Sequence, residues 1–468
     1  MASFQNDYPQ TEKDLVSLVD LWAASTERAK QRAGWDYYQQ NNSTVRELKK
    51  YFFSDKLKRQ VENPYVANYK IGYGFFHDMV SQKVNTLLDE TPTIEAKGTP
   101  IEDKFVKEVG YALKNAGLKA SAQSTAFIYQ SITGSLTVFN TENCIPFWDD
   151  TTGDLRALVR YWDVNYLKGE YTRYIELYAP DGLTVYRTAH SGGLEIVQPF
   201  TGYKIRTLRD FRGESSTVEQ VMFPIVELRN NEERESDLKP SIRAKIDAID
   251  IVNSGFMNNI EDFSEAFWVI KNNAGFNSDQ FEDFIASIKQ TRKFILPGDG
   301  MTNNDVEAKT FDIPTEARTK FVEDRKKELI EESGVLDTAS ITGSSVTNVA
   351  IKAAQMKLRQ RVSDFEWEVY RTATKLIEVY QSYRGLSFDF DIEFTPLLIQ
   401  NDTEIIQNAN TMRPDISKEW YLTLLQRAGY LDDVKEELKR QSKEDLEKYS
   451  LKDEEEIPVV PVTPPVEE

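Results

Sequence analysis

Residues 344–384 read SSVTNVAIKAAQMKLRQRVSDFEWEVYRTATKLIEVYQSYR. Apolar side chains recur in this stretch at spacings of three and four, which predicts one unbroken amphipathic helix. The stripe comprises Leu358, Val362, Phe365, Val369, Ala373, Leu376 and Tyr380. Ser344 or Ser345 can cap the start of this helix, and Gly385 can end it. Such a helix would be about 60 Å long, well above the usual length, so it needs a structural reason.

The composition of the 468-residue chain favours a soluble protein with two to four structural units. The single cysteine, Cys144, excludes an intrachain disulfide, and no stretch resembles a signal peptide or a membrane span. The net charge is −19, from 57 basic and 76 acidic residues. This charge argues against a protein that grips nucleic acid, but it is compatible with one that lets nucleic acid slide past.

Periodicity along the chain predicts an α+β fold. We expect helices in residues 1–60, Tyr65–Leu88, Ile101–Gly117, Ala120–Ser131, Ser241–Lys271, Ser278–Thr291, Thr315–Ser333 and within 400–449. We expect strands at Leu136–Asn140, Cys144–Trp148, Leu155–Trp162, Tyr171–Tyr178, Leu183–Arg187, Gly202–Arg206, Phe223–Asn230, Lys293–Leu296, Val306–Phe311 and Ser387–Thr395. Two helices therefore bracket a small α/β insert and then lead to the long helix.

The sequence contains no coherent catalytic constellation. It lacks a phosphate-binding loop, a dinucleotide fingerprint, a nucleophile elbow and a zinc-protease motif. Its two histidines, His77 and His190, lie in different segments, so a histidine metal site is hard to build. We expect neither enzymatic activity nor a cofactor.

One acidic cluster offers oxygen ligands. Asp149, Asp150 and Asp154 could hold a cation, since Ca²⁺ prefers several oxygens. The Thr-Thr-Gly between them is also typical of a hairpin turn. We favour the turn, and the sequence leaves the cation open.

Several segments, in this order, resemble one known family: Asn63–Pro92, Phe147–Trp162, Glu176–Gly182, Pro224–Asp237, Ile246–Asp262, Ile416–Glu419 and Asp432–Leu438. Together they resemble the portal (head–tail connector) proteins of tailed bacteriophages, of the siphophage type found in phages of Gram-positive hosts. Each segment alone is weakly specific, whereas their order is strongly so. Gly343–Ala350 fits the family's pattern for the start of its tunnel helix only loosely.

The resemblance implies a portal-type α+β architecture with a wing, a stem, a clip, a tunnel helix and a crown. The expected segments are a wing at 1–240 (helical first, β-rich from about 136), a stem helix at 241–271, a clip at 272–312, a second stem helix at 313–335, a tunnel loop at 336–345, the tunnel helix with its return to the wing at 346–400, and a helical crown at 401–450. The acidic, proline-rich residues 451–468 are predicted to be a disordered tail.

The resemblance also implies a function. The family forms a ring, expected to be a dodecamer, at one capsid vertex, where terminase drives double-stranded DNA through it. Implied partners are the terminase large subunit, a head-completion adaptor, and the major capsid and scaffolding proteins, with no membrane. We therefore expect a virion component at the portal vertex that is assembled in the host cytoplasm.

Three sets of residues are candidates for functional roles. The small, polar composition of the segment before the long helix suits a tunnel loop and an ordinary connector equally, and the resemblance favours the tunnel loop. The candidates there are Asp337, Thr338, Ser340, Thr342, Ser344 and Ser345. Candidates for contact of the clip with terminase or adaptor are Asp279, Glu282, Asp283 and Lys289. Candidates for packing of the tunnel helix are Leu358, Val362, Phe365, Val369 and Leu376.

Two other classes of protein were weighed. An enzyme of nucleic-acid metabolism is disfavoured because no set of ligands or catalytic groups is present. A non-viral oligomeric scaffold or adaptor would explain the long helix, but not the β-rich segment or the helical hairpin that carries an insert.

Overall fold

The fold was analysed in a computed structural model. It describes residues 8–263 apart from 10, 55–57, 64–65, 99–100, 166–170, 190–192, 204–205, 210–214 and 219–221, then 267–271, 305–309, 315–337, 348–397, and 402–443 apart from 414–415, 428–429 and 432. The chain divides into two compact units. One unit comprises Met1–Val335 with Leu358–Leu397, and the other comprises Leu336–Lys357 with Leu398–Glu468.

The described helices are α1 Glu12–Ala23, α2 Thr26–Tyr38, α3 Ser43–Arg46, α4 Phe75–Leu88, α5 Asp103–Gln123, α6 Pro240–Phe263, α7 Thr315–Ser333, α8 Asn348–Arg384, α9 Asp402–Met412 and α10 Lys418–Arg427. Residues 434–443 are also helical. Helix α8 is the predicted long helix and has 37 residues. It ends at Gly385, whose φ of +61° is the left-handed conformation expected of a terminating glycine. Its proposed caps, Ser344 and Ser345, lie outside the described residues.

The strands are β1 Tyr51–Ser54, β2 Arg59–Glu62, β3 Thr93–Ala96, β4 Thr125–Gln130, β5 Leu136–Val138, β6 Cys144–Trp148, β7 Leu155–Asn165, β8 Tyr171–Tyr178, β9 Gly182–Thr188, β10 Leu194–Gly202, β11 Arg206–Arg209, β12 Ser215–Val218, β13 Ile225–Arg229, β14 Phe267–Lys271, β15 Asp305–Lys309 and β16 Phe390–Glu393. Strands β6 to β10 form an antiparallel meander, and β13, β4 and β5 form a three-stranded sheet in that order. The other described strands pair two by two, as β1 with β2, β3 with β16, β11 with β12, and β14 with β15.

The five-stranded sheet contributes apolar side chains to two core clusters, one on each face. Neighbouring residues of a strand point to opposite faces of the sheet. Ile145 and Val159 pack with Leu15 and Trp22 of α1. The residues that precede them in their strands, Cys144 and Leu158, pack on the other face with Phe127 of β4 and Ile225 of β13. The sheet is therefore enclosed between a helix and a second sheet.

Helix α8 buries its apolar stripe in the same unit. Leu358 and Val362 are 5% and 4% exposed, while Phe365, Val369 and Leu376 are fully buried. Helix α5 lies against this stripe, because Phe105 stacks on Tyr380 at 4.1 Å between ring centroids. Gly117 meets Phe365 so closely that an added Cβ would lie 3.2 Å from its ring. A larger residue at this position would require the neighbouring side chains to shift.

Two predicted helices are wrong in part. Ala120–Ser131 is helical only to Gln123, and Thr125–Gln130 then forms β4 between β5 and β13. A central strand buried on both faces is a continuous apolar run, which periodicity does not separate from a buried helix. The helix predicted at Ser241–Lys271 ends at Phe263, and Phe267–Lys271 pairs as a strand with Asp305–Lys309. Its aromatic and β-branched sequence favours a strand.

The N-terminal predictions also need correction. The helix predicted at Tyr65–Leu88 begins only at Phe75, and residues 66–74 precede it without helical structure. Residues 1–60 are helical only to Arg46, and Tyr51–Ser54 starts a β-hairpin. Partners elsewhere in the fold, described below, hold the segment before α4 extended.

Replacing Phe365 with alanine is expected to lower the free energy of unfolding by about 3–5 kcal/mol, because it removes a fully buried ring and leaves a cavity. Urea denaturation followed by circular dichroism measures the loss. Trp367→Ala is the matched control, since Trp367 lies on the same helix and is 74% exposed. The control should change stability by less than about 0.5 kcal/mol. Equal losses in both variants would contradict this packing.

Candidate functional site

A hairpin turn in the five-stranded sheet is attached to helix α8. The carboxylate of Asp154 accepts hydrogen bonds from Arg371 Nη2 and Lys375 Nζ, each at 2.5 Å. Burial by itself would raise the pKa of Asp154, but hydrogen bonds and attraction from these two cations lower it below its usual value. The turn between β6 and β7 is thereby tied to the middle of the long helix.

The neighbouring Asp149 shapes the same turn. Its carboxylate accepts the backbone N–H groups of Thr151 and Thr152, at 2.9 and 3.0 Å. These backbone hydrogen bonds lower the pKa of Asp149. Of the three carboxylates that the sequence offered to a cation, Asp149 thus serves the turn and Asp154 the ion pairs with α8. In the part of the chain that the structure describes, no three His, Cys, Asp or Glu side chains are grouped so as to hold a metal ion.

Strand β13 makes a second attachment to α8. The carboxylate of Glu227 is 4% exposed and pairs with Arg229 and Arg234, at 3.2 and 2.9 Å. Trp148 Nε1 donates a hydrogen bond to the same carboxylate at 3.1 Å. The backbone carbonyl of Glu227 accepts a hydrogen bond from Thr372 Oγ1 of α8 at 3.0 Å. The buried charge is therefore fully paired where the sheet meets the helix.

A buried ion cluster connects α8 to the start of α6. Asp237 lies in the loop before α6, and its Oδ2 is 3.1 Å from Lys83 Nζ of α4 and 2.9 Å from Arg361 Nη2 of α8. Arg361 Nη1 donates to the carbonyl of Ser333, the last residue of α7, at 2.8 Å. Lys83 also donates to Asn230 Oδ1 at 2.6 Å. We call Lys83, Asp237 and Arg361 the stem junction.

Burial and neighbouring charges shift the pKa values of Asp237 and Lys83 in the stem junction. Burial alone would raise the pKa of Asp237, but the charges of Lys83 and Arg361 outweigh it and hold that pKa at about 2. Burial lowers the pKa of Lys83, and the attraction of Asp237 opposes this effect. In a medium of low dielectric constant, such a cluster is stable only while all its members are present.

Helix α6 holds an extended segment through a row of polar side chains. Asp250 Oδ1, Ser254 Oγ and Asn258 Oδ1 accept the backbone N–H groups of residues 73, 71 and 69, at 2.7, 3.0 and 2.6 Å respectively. Four residues of a helix rise about 6 Å, and two residues of an extended chain advance about 6.6 Å. The two spacings match, so a side chain on each successive turn of the helix accepts a hydrogen bond from every second backbone N–H of the extended segment. We call these three side chains the stem ladder.

The first residue of the stem ladder along α6, Asp250, has a buried carboxylate. Asp250 is fully buried, and Asn42 Nδ2 donates to its Oδ2 at 2.8 Å. Burial raises the pKa of Asp250 to about 6, with a further contribution from the negative charge of Asp247. Sequence reasoning missed the ladder. The available signal was the four-residue spacing of Asp250, Ser254 and Asn258, which places them on one face of α6.

The candidates from the sequence fall into two groups. The clip candidates Asp279, Glu282, Asp283 and Lys289 and the tunnel-loop candidates Thr338, Ser340, Thr342, Ser344 and Ser345 lie outside the described residues. Asp337 is described and half-buried. The packing candidates on α8 are all buried, as given above. None of the described helices is both long and apolar enough to cross a membrane.

Comparisons with known proteins identify the class of protein to which the chain belongs. The sequence model of one family, phage portal protein, SPP1 Gp6-like, matches residues 26–450. The chain therefore belongs to this family of phage portal proteins, and the resemblance seen in its sequence is confirmed.

Two relatives agree with this assignment. The portal protein of Bacillus phage SPP1 is 24% identical over 440 residues, which cover 89% of this chain and 84% of that protein. The portal protein of Clostridium phage phiCD119 is 23% identical over 432 residues, which cover 84% of this chain and 90% of that protein. The similarity thus extends over most of the length of all three chains.

Replacing Asp237 with asparagine is expected to lower the free energy of unfolding by roughly 3–5 kcal/mol, because the buried Lys83 then loses its counter-charge and Arg361 loses an ion pair. The pKa of Asp237 is about 2 in the folded protein, below its ordinary 3.8. Its contribution is therefore present above pH 3.8 and is lost as the pH falls toward 2. Chemical denaturation between pH 2 and 7 measures both effects.

Glu233→Gln is the control for this prediction, because Glu233 is exposed in the same loop. Its stability should follow that of the wild-type protein at every pH. If Asp237→Asn also follows the wild type, the ion cluster contributes nothing to the junction.

Proposed function

We propose that the protein forms the ring-shaped channel at one capsid vertex through which the phage genome enters and later leaves. The observation that carries the proposal is the family match over residues 26–450. The ring is expected to be a dodecamer. In this role the protein is a structural component of the virion, and the motor rather than the portal hydrolyses ATP.

The paired helices α6 and α7 support the proposal as a stem. Lys245 near the start of α6 pairs with Glu332 near the end of α7. Further along, the guanidinium of Arg318 lies over the Phe256 ring at 5.7 Å. The two helices are therefore antiparallel, and the chain between them forms an insert at the far end. That insert contains residues 272–312, which we propose as the clip.

Exposed apolar side chains on the stem favour assembly. Ile251, Met257 and Ile260 of α6 are 42%, 36% and 42% exposed, and Phe321 of α7 is 40% exposed. A pair of helices is too thin to cover these side chains itself. Neighbouring subunits in a ring would bury them, which stabilises association by about 25 cal/mol for each Å² of apolar surface removed from water.

The partners proposed for this ring follow from the role of a portal. The terminase large subunit and later a head-completion adaptor would dock on the clip, with Asp279, Glu282, Asp283 and Lys289 as contact candidates. The major capsid and scaffolding proteins would surround the ring in the virion. Double-stranded DNA would pass through the channel without sequence recognition.

The net charge of −19 fits a channel of this kind. Contacts between cations and phosphates release counterions and retain the polymer, whereas an acidic or neutral wall does not. We propose that the tunnel loop, from Asp337 to Ser345, lines the narrowest part of the channel, because it lacks bulky residues apart from Ile341 and is rich in serine and threonine. Neither an enzyme of nucleic-acid metabolism nor a non-viral oligomeric scaffold or adaptor has comparable support.

Purified protein is expected to form closed rings of about a dozen subunits, because its stem helices expose apolar surface. Negative-stain electron microscopy and mass photometry measure the ring and its subunit number. A Phe365→Ala variant, which is destabilised in the subunit core, controls for aggregation that imitates assembly. A wild-type protein that stays monomeric at high concentration, in every salt tested, would overturn the proposed function.

Replacing Thr338, Ser340 and Thr342 together with lysine is expected to leave the rings intact but to slow DNA translocation, because cations at the constriction would attract phosphates. The slowing should be greater at low salt, where screening is weaker. A packaging assay with terminase measures the rate. The matched control replaces the same residues with glutamine. Normal packaging by the lysine variant across all salt concentrations would place the constriction elsewhere.

A further inference from the structure

One region of the acidic chain is basic. Residues 46–70 contain seven basic side chains, Arg46, Lys49, Lys50, Lys56, Lys58, Arg59 and Lys70, and three acidic ones, Glu47, Asp55 and Glu62. The difference is +4, within a chain whose net charge is −19. A local reversal of sign on a strongly charged protein creates a surface to which negative groups are drawn.

Of these cations, Arg46, Lys49, Lys50, Lys58 and Arg59 are exposed to solvent and Lys70 is half-buried, while Lys56 lies outside the described residues. Residues 46–51 and 58–60 are exposed, at the β1–β2 hairpin and just before it. Lys50 and Lys70 are close enough that the charge of Lys50 adds to the effect of burial in lowering the pKa of Lys70. Lys49 has a partner, Glu62, at 2.9 Å. Within the described residues, no carboxylate pairs with Lys50 or Arg59.

Exposed apolar groups are interleaved with the cations. Leu48 and Tyr51 are 42% and 56% exposed, and Tyr69 and Ile71 are 45% and 38% exposed. The stem ladder fixes the backbone that carries Tyr69 and Ile71, so these side chains stand on a rigid support. We call Leu48, Lys50, Tyr51, Arg59, Tyr69 and Lys70 the basic stem surface.

The chemistry of this surface fits a protein better than a phosphate backbone. Phosphates would use the cations but would leave Leu48 and Ile71 exposed to water. Exposed tyrosines beside an arginine, with aliphatic groups between them, are typical of the contact area between two proteins. The partner that fits should combine carboxylates with apolar side chains.

A second copy of this chain has that chemistry. Identical subunits of charge −19 repel one another, and a ring uses a head-to-tail interface in which two different surfaces meet. A basic surface on one side of the subunit can therefore contact an acidic surface on the other. Helix α6, which holds Tyr69 and Ile71 through the stem ladder, also exposes Ile251.

We propose that the basic stem surface docks on a carboxylate-bearing surface of the adjacent subunit and offsets the repulsion between subunits in the ring. This inference rests on the proposed ring. It assigns to the basic stem surface an intersubunit contact that combines ion pairs with burial of the two tyrosines.

The test reverses two charges that no described carboxylate pairs with, as Lys50→Glu with Arg59→Glu. Like charges facing each other across an interface cost several kcal/mol, so association of subunits should weaken at least about tenfold at about 0.1 M salt. The control is Lys104→Glu with Lys107→Glu, which makes the same change in net charge at exposed positions of α5. Mass photometry measures assembly, and thermal unfolding checks that each variant is folded. The control should assemble within about twofold of the wild type.

A milder variant, Lys50→Gln with Arg59→Gln, should lie between the wild type and the reversal. Assembly of the reversal variant at the wild-type concentration would overturn the inference. So would intact rings that lose affinity for a short fluorescent DNA duplex, because the surface would then bind nucleic acid. Wild-type protein that forms no rings would instead overturn the proposed function, so the two failures are distinguishable.

Discussion

Burial of one face of helix α8 is the constraint on which the larger unit depends. From Leu358 to Tyr380 this face is removed from water, and α5 packs against it with Gly117 facing the ring of Phe365. A helix with one dry face has polar residues along its borders, and in α8 these include Arg361, Arg371 and Lys375. Their charges must be neutralised where the helix meets the rest of the unit. Asp237 and Asp154 supply carboxylates at those points.

The stem junction shows how a buried charge can specify a connection. A lone ion pair in a protein interior gains little over apolar packing, because desolvation offsets the attraction. The carboxylate of Asp237, however, accepts hydrogen bonds from Lys83, Arg361 and Asn230, so each neighbour satisfies part of its hydrogen-bonding capacity. These partners come from different parts of the fold. The start of α6 and the middle of α8 therefore share a single carboxylate, and displacing either helix would break an ion pair.

The stem ladder illustrates a different solution for an exposed, slender part of the fold. Helix α6 has few apolar neighbours along its far half, so polar side chains hold the segment that runs beside it. The helix rise and the extended-chain repeat nearly coincide, which lets three successive turns each bind one N–H. Asp250 is part of this contact although it is buried. Burying a charged carboxylate costs free energy, and the raised pKa of Asp250 reflects that cost.

The sequence by itself determined the elements with strong periodicity. The stripe of α8, the helix Thr315–Ser333 and the strands Cys144–Trp148 and Tyr171–Tyr178 all lie where their patterns predicted. The order of segments also indicated the portal family. Only the tertiary structure decided whether Thr125–Gln130 is helix or strand, because burial on both faces removes the alternation that marks a strand. It alone showed the stem junction and the ladder, since Lys83, Asp237 and Arg361 are far apart in sequence and meet only when the helices pack.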